Sequence, residues 1–234
     1  MTPEFKTDAK PSRGRPRGRS QQSRDTEQKL FRIALDQFKT RGFKEATLRD
    51  IAKEAGVSVG LLYRYFPNKQ AILLRLYEDL TLTFVSKTQS LPQETWQVRF
   101  GVAMGTCLKV LGAERPLMVA LLPTLVSHGE QGVLADSTRS SRQRVQAVFR
   151  AVVCASRLPP QGETAAQLGD ILYLVHLSVI LFWCLDRSPN QEATEGLLKV
   201  LDSLLPAVGL AMKLPGARKR IHRVHHLLRA AQLN

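Results

Sequence analysis

The sequence predicts an all-α protein in which a three-helix helix-turn-helix unit precedes a larger helical domain. Two observations carry this prediction. Apolar residues recur every three or four positions through most of the 234-residue chain. No convincing stretch alternates apolar and polar residues, as a half-buried strand would. A hydrophobic fraction of 44% is enough to build a sizeable core, so a disordered basic protein is excluded.

Charge and composition divide the chain into four segments. We expect a disordered Arg-rich tail over 1–22, the helix-turn-helix unit over 23–70, the larger domain over 71–213 and a basic helix over 214–234. Residues 1–66 carry a net charge of +7 and residues 213–234 a net charge of +6, whereas the stretch between them carries +1. Positive charge confined to the two ends indicates a polyanionic partner.

Capping residues and a glycine predict where the first two helices begin and end. Asp25 is predicted to cap a helix that ends at Gly42 in the left-handed conformation. Thr47 and Asp50 have the spacing of a capping box for the second helix.

The next signals set a short third helix and a long fourth one. Gly56 provides the turn, Ser58 caps the third helix, and Pro67 opens a fourth that runs to about Lys87. Further helices are expected at about 94–111, 116–128, 131–156, 163–186, 191–212 and 217–232.

The third helix is predicted to read DNA. Ile51, Val57 and Leu62 fill the angle between the second and third helices, which leaves the other side of the third helix outside the core. Small residues at its start allow close approach to a major groove. The outward residues are Val59, Gly60, Leu61, Tyr63 and Arg64. The alternative is a helical hairpin with an incidental basic surface.

The run from Gly42 through Leu48-Arg-Asp-Ile-Ala, Gly-Val-Ser and Leu-Tyr-Arg-Tyr-Phe-Pro-Asn-Lys69 resembles the N-terminal domain of TetR/AcrR-type bacterial repressors. The resemblance covers about residues 25–75. It implies a homodimer, a double-stranded DNA operator, and a helical domain that binds an effector and dimerises. It also implies groove contacts from Val59, Gly60, Leu61 and Tyr63, and phosphate contacts from Thr47, Ser58, Arg64, Tyr65 and Lys69. Arg64 departs from the family, which often has an aromatic or a smaller polar residue there.

The run from Arg13 to Arg19 resembles an AT-hook. Pro16 favours an extended backbone, and Arg15 and Arg17 could enter a narrow A·T minor groove. A tail that only solubilises the protein or touches phosphates is the alternative.

Trp96, Phe100, Met104 and Cys107 form a helical stripe in the larger domain. The stripe is either plain core or the wall of a pocket for a small apolar effector. The polar side chains that could anchor such an effector, or could simply be satisfied buried groups, are His128, Tyr173 and His176.

The apolar run Ile171–Leu185 is interpreted as a helix buried on all sides, too short for a membrane span. With the helix over 191–212 it is a candidate for a two-fold, four-helix dimer interface. Burial within one chain is the alternative. The predicted seam of the second helix is Leu197, Leu198, Leu201, Leu204 and Leu205.

The last helix is basic and amphipathic. His222 with His225 or His226 has metal-ligand spacing, but no carboxylate or cysteine lies nearby, so we expect a solvated basic face and no metal. Contact with a membrane surface or with additional DNA stays open.

The cysteines Cys107, Cys154 and Cys184 are far apart and are expected to be buried free thiols in a reducing compartment. With no apolar leader segment, the expected location is cytoplasmic.

The function predicted from the sequence is a dimeric repressor that a small apolar effector releases from DNA. An architectural DNA-binding protein without an effector is the alternative. No phosphate loop, nucleophile elbow or paired-metal motif indicates an enzyme, and no cofactor is expected.

Overall fold

The computed structural model describes residues 21–125 and 136–230, and these residues form α-helices with no strand among them. The predicted all-α fold is confirmed. The helices are α1 (Gln21–Arg41), α2 (Leu48–Ala55), α3 (Val59–Tyr65), α4 (Lys69–Lys87), α5 (Trp96–Gly112), α6 (Arg115–Leu125), α7 (Arg139–Cys154), α8 (Thr164–Leu185), α9 (Glu192–Ala211) and α10 (Ala217–Ala230).

The caps and turns of the helix-turn-helix unit lie at the residues predicted from the sequence. The backbone N–H of Asp50 donates to Oγ1 of Thr47 at 3.2 Å, and that of Leu61 donates to Oγ of Ser58 at 3.1 Å. Gly42 and Gly56 have φ of +89° and +68°, in the left-handed region that glycine adopts without strain. These four predicted positions are confirmed.

Two predicted helix starts are wrong. α1 already includes Gln21 and Gln22, so Asp25 lies inside the helix, where its carboxylate accepts a hydrogen bond from Gln21 at 2.9 Å. Gln and Arg are good helix formers, so a polar segment continues the helix towards the N-terminus. α4 starts at Lys69 rather than at Pro67, because Asn68 provides the capping oxygen for the Ala71 amide at 2.8 Å.

The core of the larger domain joins α4, α5, α7 and α8. Phe149 is its centre, with its ring 5.8 Å from that of Phe100 and 4.7 Å from that of His176. α7 and α8 approach closely at Gly169, where an added Cβ would lie 2.6 Å from Cα of Arg150. Glycine at this position is what allows the two helices to touch.

α6 connects the larger domain to α1. Lys39 of α1 forms an ion pair with Glu114 at 2.7 Å, just before α6. The next residue, Arg115, donates to the carbonyl oxygen of Trp183 at 2.9 Å and to that of Asp186, at the end of α8. The start of α6 therefore contacts both the helix-turn-helix unit and the C-terminal end of α8.

The prediction that α8 is buried on all sides is wrong, because one apolar face of this helix is exposed. Its last turns present Ser178, Leu181, Phe182 and Leu185 to solvent. By length and composition alone α8 could span a membrane, but half of its apolar window is buried inside the protein, as in a core helix. α9 buries only Thr194 and Leu205 and exposes Val200, Leu204, Val208 and Leu210.

Cys107 and Cys184 are buried free thiols, as predicted, whereas Cys154 is exposed. Cys154 is the last residue of α7, where the helix leaves the core, so the expectation of burial was wrong for this residue.

Candidate nucleic-acid interface

α3 presents a small exposed face between two helix N-termini. Leu62 is fully buried, whereas Gly60, Tyr63 and Arg64 are exposed, with half of the Tyr63 surface open to solvent. Val59 and Leu61 are half-buried at the edge of this face. The face can therefore enter a groove through a glycine, an aromatic ring and a guanidinium.

A shallow hollow of about 560 Å³ lies between Tyr63 and the N-termini of α2 and α4. Helix N-termini carry free amides and a partial positive charge, which suits a phosphate. Arg49, Asn68 and Gln70 also line the hollow, and these three were missed in the sequence. The capping position of Asn68 was the one available signal.

The Thr47 hydroxyl is engaged in hydrogen bonds within the protein. It donates to the Asp50 carboxylate at 2.6 Å, and this hydrogen bond holds the pKa of Asp50 below its ordinary value. A phosphate at this end of α2 would therefore meet backbone amides rather than a free Thr47 donor.

Lys69 and Tyr65 stabilise the unit from within. The Lys69 ammonium donates to the carbonyl oxygens of Phe43, Lys44 and Ala46 at 2.7, 3.0 and 3.0 Å, so its three N–H groups are engaged. The Tyr65 hydroxyl lies 3.0 Å from Oγ of Ser23. Lys69 therefore supplies positive charge near the hollow without a free donor, and Tyr65 connects α3 to α1.

Three predicted site residues lie outside the described residues: Arg15, Arg17 and His128.

The candidate effector residues do not form one pocket. Phe100 and Met104 line an apolar cleft of about 440 Å³ between α5 and α9, with Lys199 and Asp202 on its α9 side. Trp96 lines a different cleft at the start of α5. Helical spacing placed the stripe on one side of α5 but could not show that neighbouring helices divide it.

Tyr173, His176 and Cys107 lie in the core behind the cleft. The Tyr173 hydroxyl and Nδ1 of His176 have no hydrogen-bond partner among the described residues. Burial lowers the pKa of His176 to about 3 and raises the pKa of Cys107 to about 12, so both are neutral at pH 7.

Two of the three α10 histidines, His222 and His225, make contacts within the protein. His222 Nδ1 lies 3.1 Å from Nε2 of Gln167, and His225 Nε2 lies 3.0 Å from Oδ2 of Asp170. Within residues 21–125 and 136–230, no group of three His, Cys, Asp or Glu side chains could hold a metal ion.

A model of the family described as bacterial regulatory proteins, tetR family, matches residues 30–76. The chain is 36% identical over 63 residues to the uncharacterized HTH-type transcriptional regulator YuxN of Bacillus subtilis, covering 26% of this chain and only 22% of that relative. It is 26% identical over 189 residues to the HTH-type transcriptional regulator HbdR of an Aromatoleum species, covering 77% of this chain and 81% of HbdR. The solved structure of Thermus thermophilus FadR, a TetR-family transcriptional repressor in complex with lauroyl-CoA, shares the fold with a TM-score of 0.56 and 22% identity, covering 75% of this chain and 92% of FadR.

Proposed function

We propose that the chain is a TetR-family transcriptional regulator, a dimeric repressor that a small, largely apolar effector releases from its operator. The observation that carries this proposal is the exposed face of α3 beside the capped N-termini of α2 and α4, on a basic unit. This arrangement offers base contacts from one helix and phosphate contacts from its neighbours.

The proposed contacts of the helix-turn-helix unit are supported by the exposure and chemistry of its residues. Gly60 allows the α3 backbone to approach base edges, with Val59 and Leu61 at the rim and the Tyr63 ring against a thymine methyl. Arg64 and Arg49 neutralise phosphates, and the amides beside Thr47 and Ser58 donate to them. Lys69 and Tyr65 act by holding the unit in shape, while Arg15 and Arg17 of the tail contact the minor groove.

The cleft between α5 and α9 is the proposed effector site. Its volume of about 440 Å³ falls in the usual range for small-molecule pockets. An apolar chain would lie on Val98 and Val102, above the buried Phe100 and Met104, and Lys199 could attract an anionic group. The acyl-CoA bound by FadR has both features. The cleft also favours this function over an architectural role, for which a closed, fully packed domain is expected.

Tyr173 and His176 are proposed as polar anchors for an effector that reaches the core behind Phe100. His176 contacts Phe149, which contacts Phe100, so packed rings separate the cleft from His176 and an effector would have to displace them. An effector donor or acceptor would satisfy polar atoms that are otherwise buried without partners.

The dimer is proposed to form through the exposed apolar faces of α8 and α9, in the cytoplasm. Two recognition helices must lie about 34–36 Å apart to enter successive major grooves. An effector that moves α9 would act on α8, then through Arg115 and the Lys39–Glu114 ion pair on α1. A small rotation of α1 changes the spacing of the reading heads.

The proposal is tested by selecting bound sequences from random DNA and measuring operator affinity for three variants. Tyr63→Ala should weaken the selected site at least tenfold more than random DNA. Gly105→Phe, which fills the cleft as an effector would, should weaken operator binding. Gly112→Phe is its matched control, at an open position of α5 outside the cleft. Equal operator affinity of the two phenylalanine variants would contradict the effector site.

A further inference from the structure

α10 packs against α8. Its half-buried positions Ile221, His225 and Leu228 lie on the side that packs on α8. His225 contacts the buried carboxylate of Asp170, which also accepts two hydrogen bonds from Arg150, at 2.6 and 3.0 Å. These contacts fix which side of α10 faces outward.

The outward side of α10 is basic. The side chains of Lys219, Arg220 and Arg223 are exposed and form no hydrogen bond or ion pair with any residue that the structure describes. At 100° per residue, Lys219 and Arg223 lie opposite the buried side, together with His226. The sequence contains no Asp or Glu from residue 203 to residue 234, so this surface has no neutralising partner in its own segment.

α10 packs on the end of α8 that is opposite the end bound by Arg115. It contacts α8 at Gln167 and Asp170, whereas the opposite end of α8, at Trp183, is held by Arg115 near the helix-turn-helix unit. The 13 residues from Asp170 to Trp183 span about 20 Å of helix. The contacts with α10 and with Arg115 are therefore at opposite ends of α8, and α10 lies at the end away from the helix-turn-helix unit.

We propose that the outward face of α10 binds the phosphates of a second DNA duplex, so that the protein bridges two DNA segments. The bridging rests on the proposed operator binding by α3. A lipid surface fits less well, because an interfacial helix turns its apolar face to the lipid, whereas the apolar side of α10 packs on α8. The exposed Val224 and Leu227 lie on one flank only.

The test immobilises a duplex carrying the selected operator on beads, binds full-length protein, and adds a fluorescent 40-bp random-sequence duplex. Wild-type protein should capture the second duplex. The variant Lys219→Glu/Arg220→Glu/Arg223→Glu should capture at least tenfold less, while its operator affinity at α3 is retained. The log–log salt slope for the second duplex should fall by about three, one per lost phosphate contact.

The matched control, Lys87→Glu/Lys109→Glu/Arg157→Glu, has the same charge change at exposed positions outside α10 and should still bridge. Arg15→Ala/Arg17→Ala tests whether the tail captures the second duplex instead. The proposal is overturned if the α10 variant still bridges two duplexes. It is also overturned if the control variant loses bridging to the same extent, or if only the tail variant loses it. The proposal would also be overturned if the α10 variant lost binding to phosphatidylserine vesicles but still bridged two duplexes. Failure of the wild type to hold the operator at all would instead contradict the proposed function.

Discussion

Gly169→Ala tests the contact on which the larger domain depends. The new Cβ would lie 2.6 Å from Cα of Arg150 and 2.9 Å from the carbonyl oxygen of Phe149, two backbone atoms that cannot rotate away. Carbon atoms normally pack at about 3.5–4.0 Å, so α7 and α8 would have to separate by about 1 Å. Overpacking of this kind costs about 1–3 kcal/mol in the free energy of unfolding.

Gly196→Ala is the matched control, because Gly196 lies inside α9 with nothing within 4 Å of a new Cβ. Both variants gain up to about 1 kcal/mol of helix propensity, so their difference isolates the clash. We expect Gly169→Ala to be less stable by about 1–3 kcal/mol, with each kcal/mol lowering Tm by about 2–4 °C. The assay is thermal and urea unfolding at one protein concentration, followed by circular dichroism. Equal stability of the two variants would refute the close contact of α7 and α8.

Three further perturbations test burial, assembly and the tail. Because the pKa of His176 is lowered to about 3, stability should fall as pH drops below about 6.5, by about 2 kcal/mol at pH 5, and His176→Phe should flatten this pH dependence in urea titrations. Leu204→Glu should yield monomers in sedimentation velocity whereas Leu158→Glu, at an exposed leucine outside α8 and α9, should not; a dimeric Leu204→Glu would disprove the interface. Arg15→Ala/Arg17→Ala should reduce the salt slope of operator binding by about two, and an unchanged slope would show that these arginines do not touch DNA.

The parts of the fold that were predicted correctly depend on neighbours in sequence. Thr47, Gly56 and Ser58 act within one turn of their own position, so caps and turns could be placed without knowledge of the rest. The start of α1 was wrong for the same reason: the polar residues before Asp25 carry no stop signal, and the capping preference of Asp outweighed their helix propensity.

The parts of the site that were not predicted depend on residues distant in sequence. Lys69 was expected on phosphate because it is basic, but three carbonyl groups about 25 residues earlier surround its ammonium. The stripe that includes Trp96 and Phe100 was divided between two clefts, because periodicity gives the face of a helix and not its neighbours. Leu201 was expected in the dimer seam but lines the cleft, which makes the exposed Leu204 the sharper test.

The sparse anchoring of α9 has a consequence for how the protein persists in a cell. Of its side chains only Thr194 and Leu205 are buried within the chain. The proposed partner subunit would bury the exposed apolar side chains of α9. The stability of α9 would therefore depend on subunit association. When few chains are present in the cell, α9 of a newly made chain would stay accessible to proteases until that chain associates with a second one. The amount of folded protein would then rise more steeply than the rate of its synthesis, so the proposed operator would stay empty below a threshold rate.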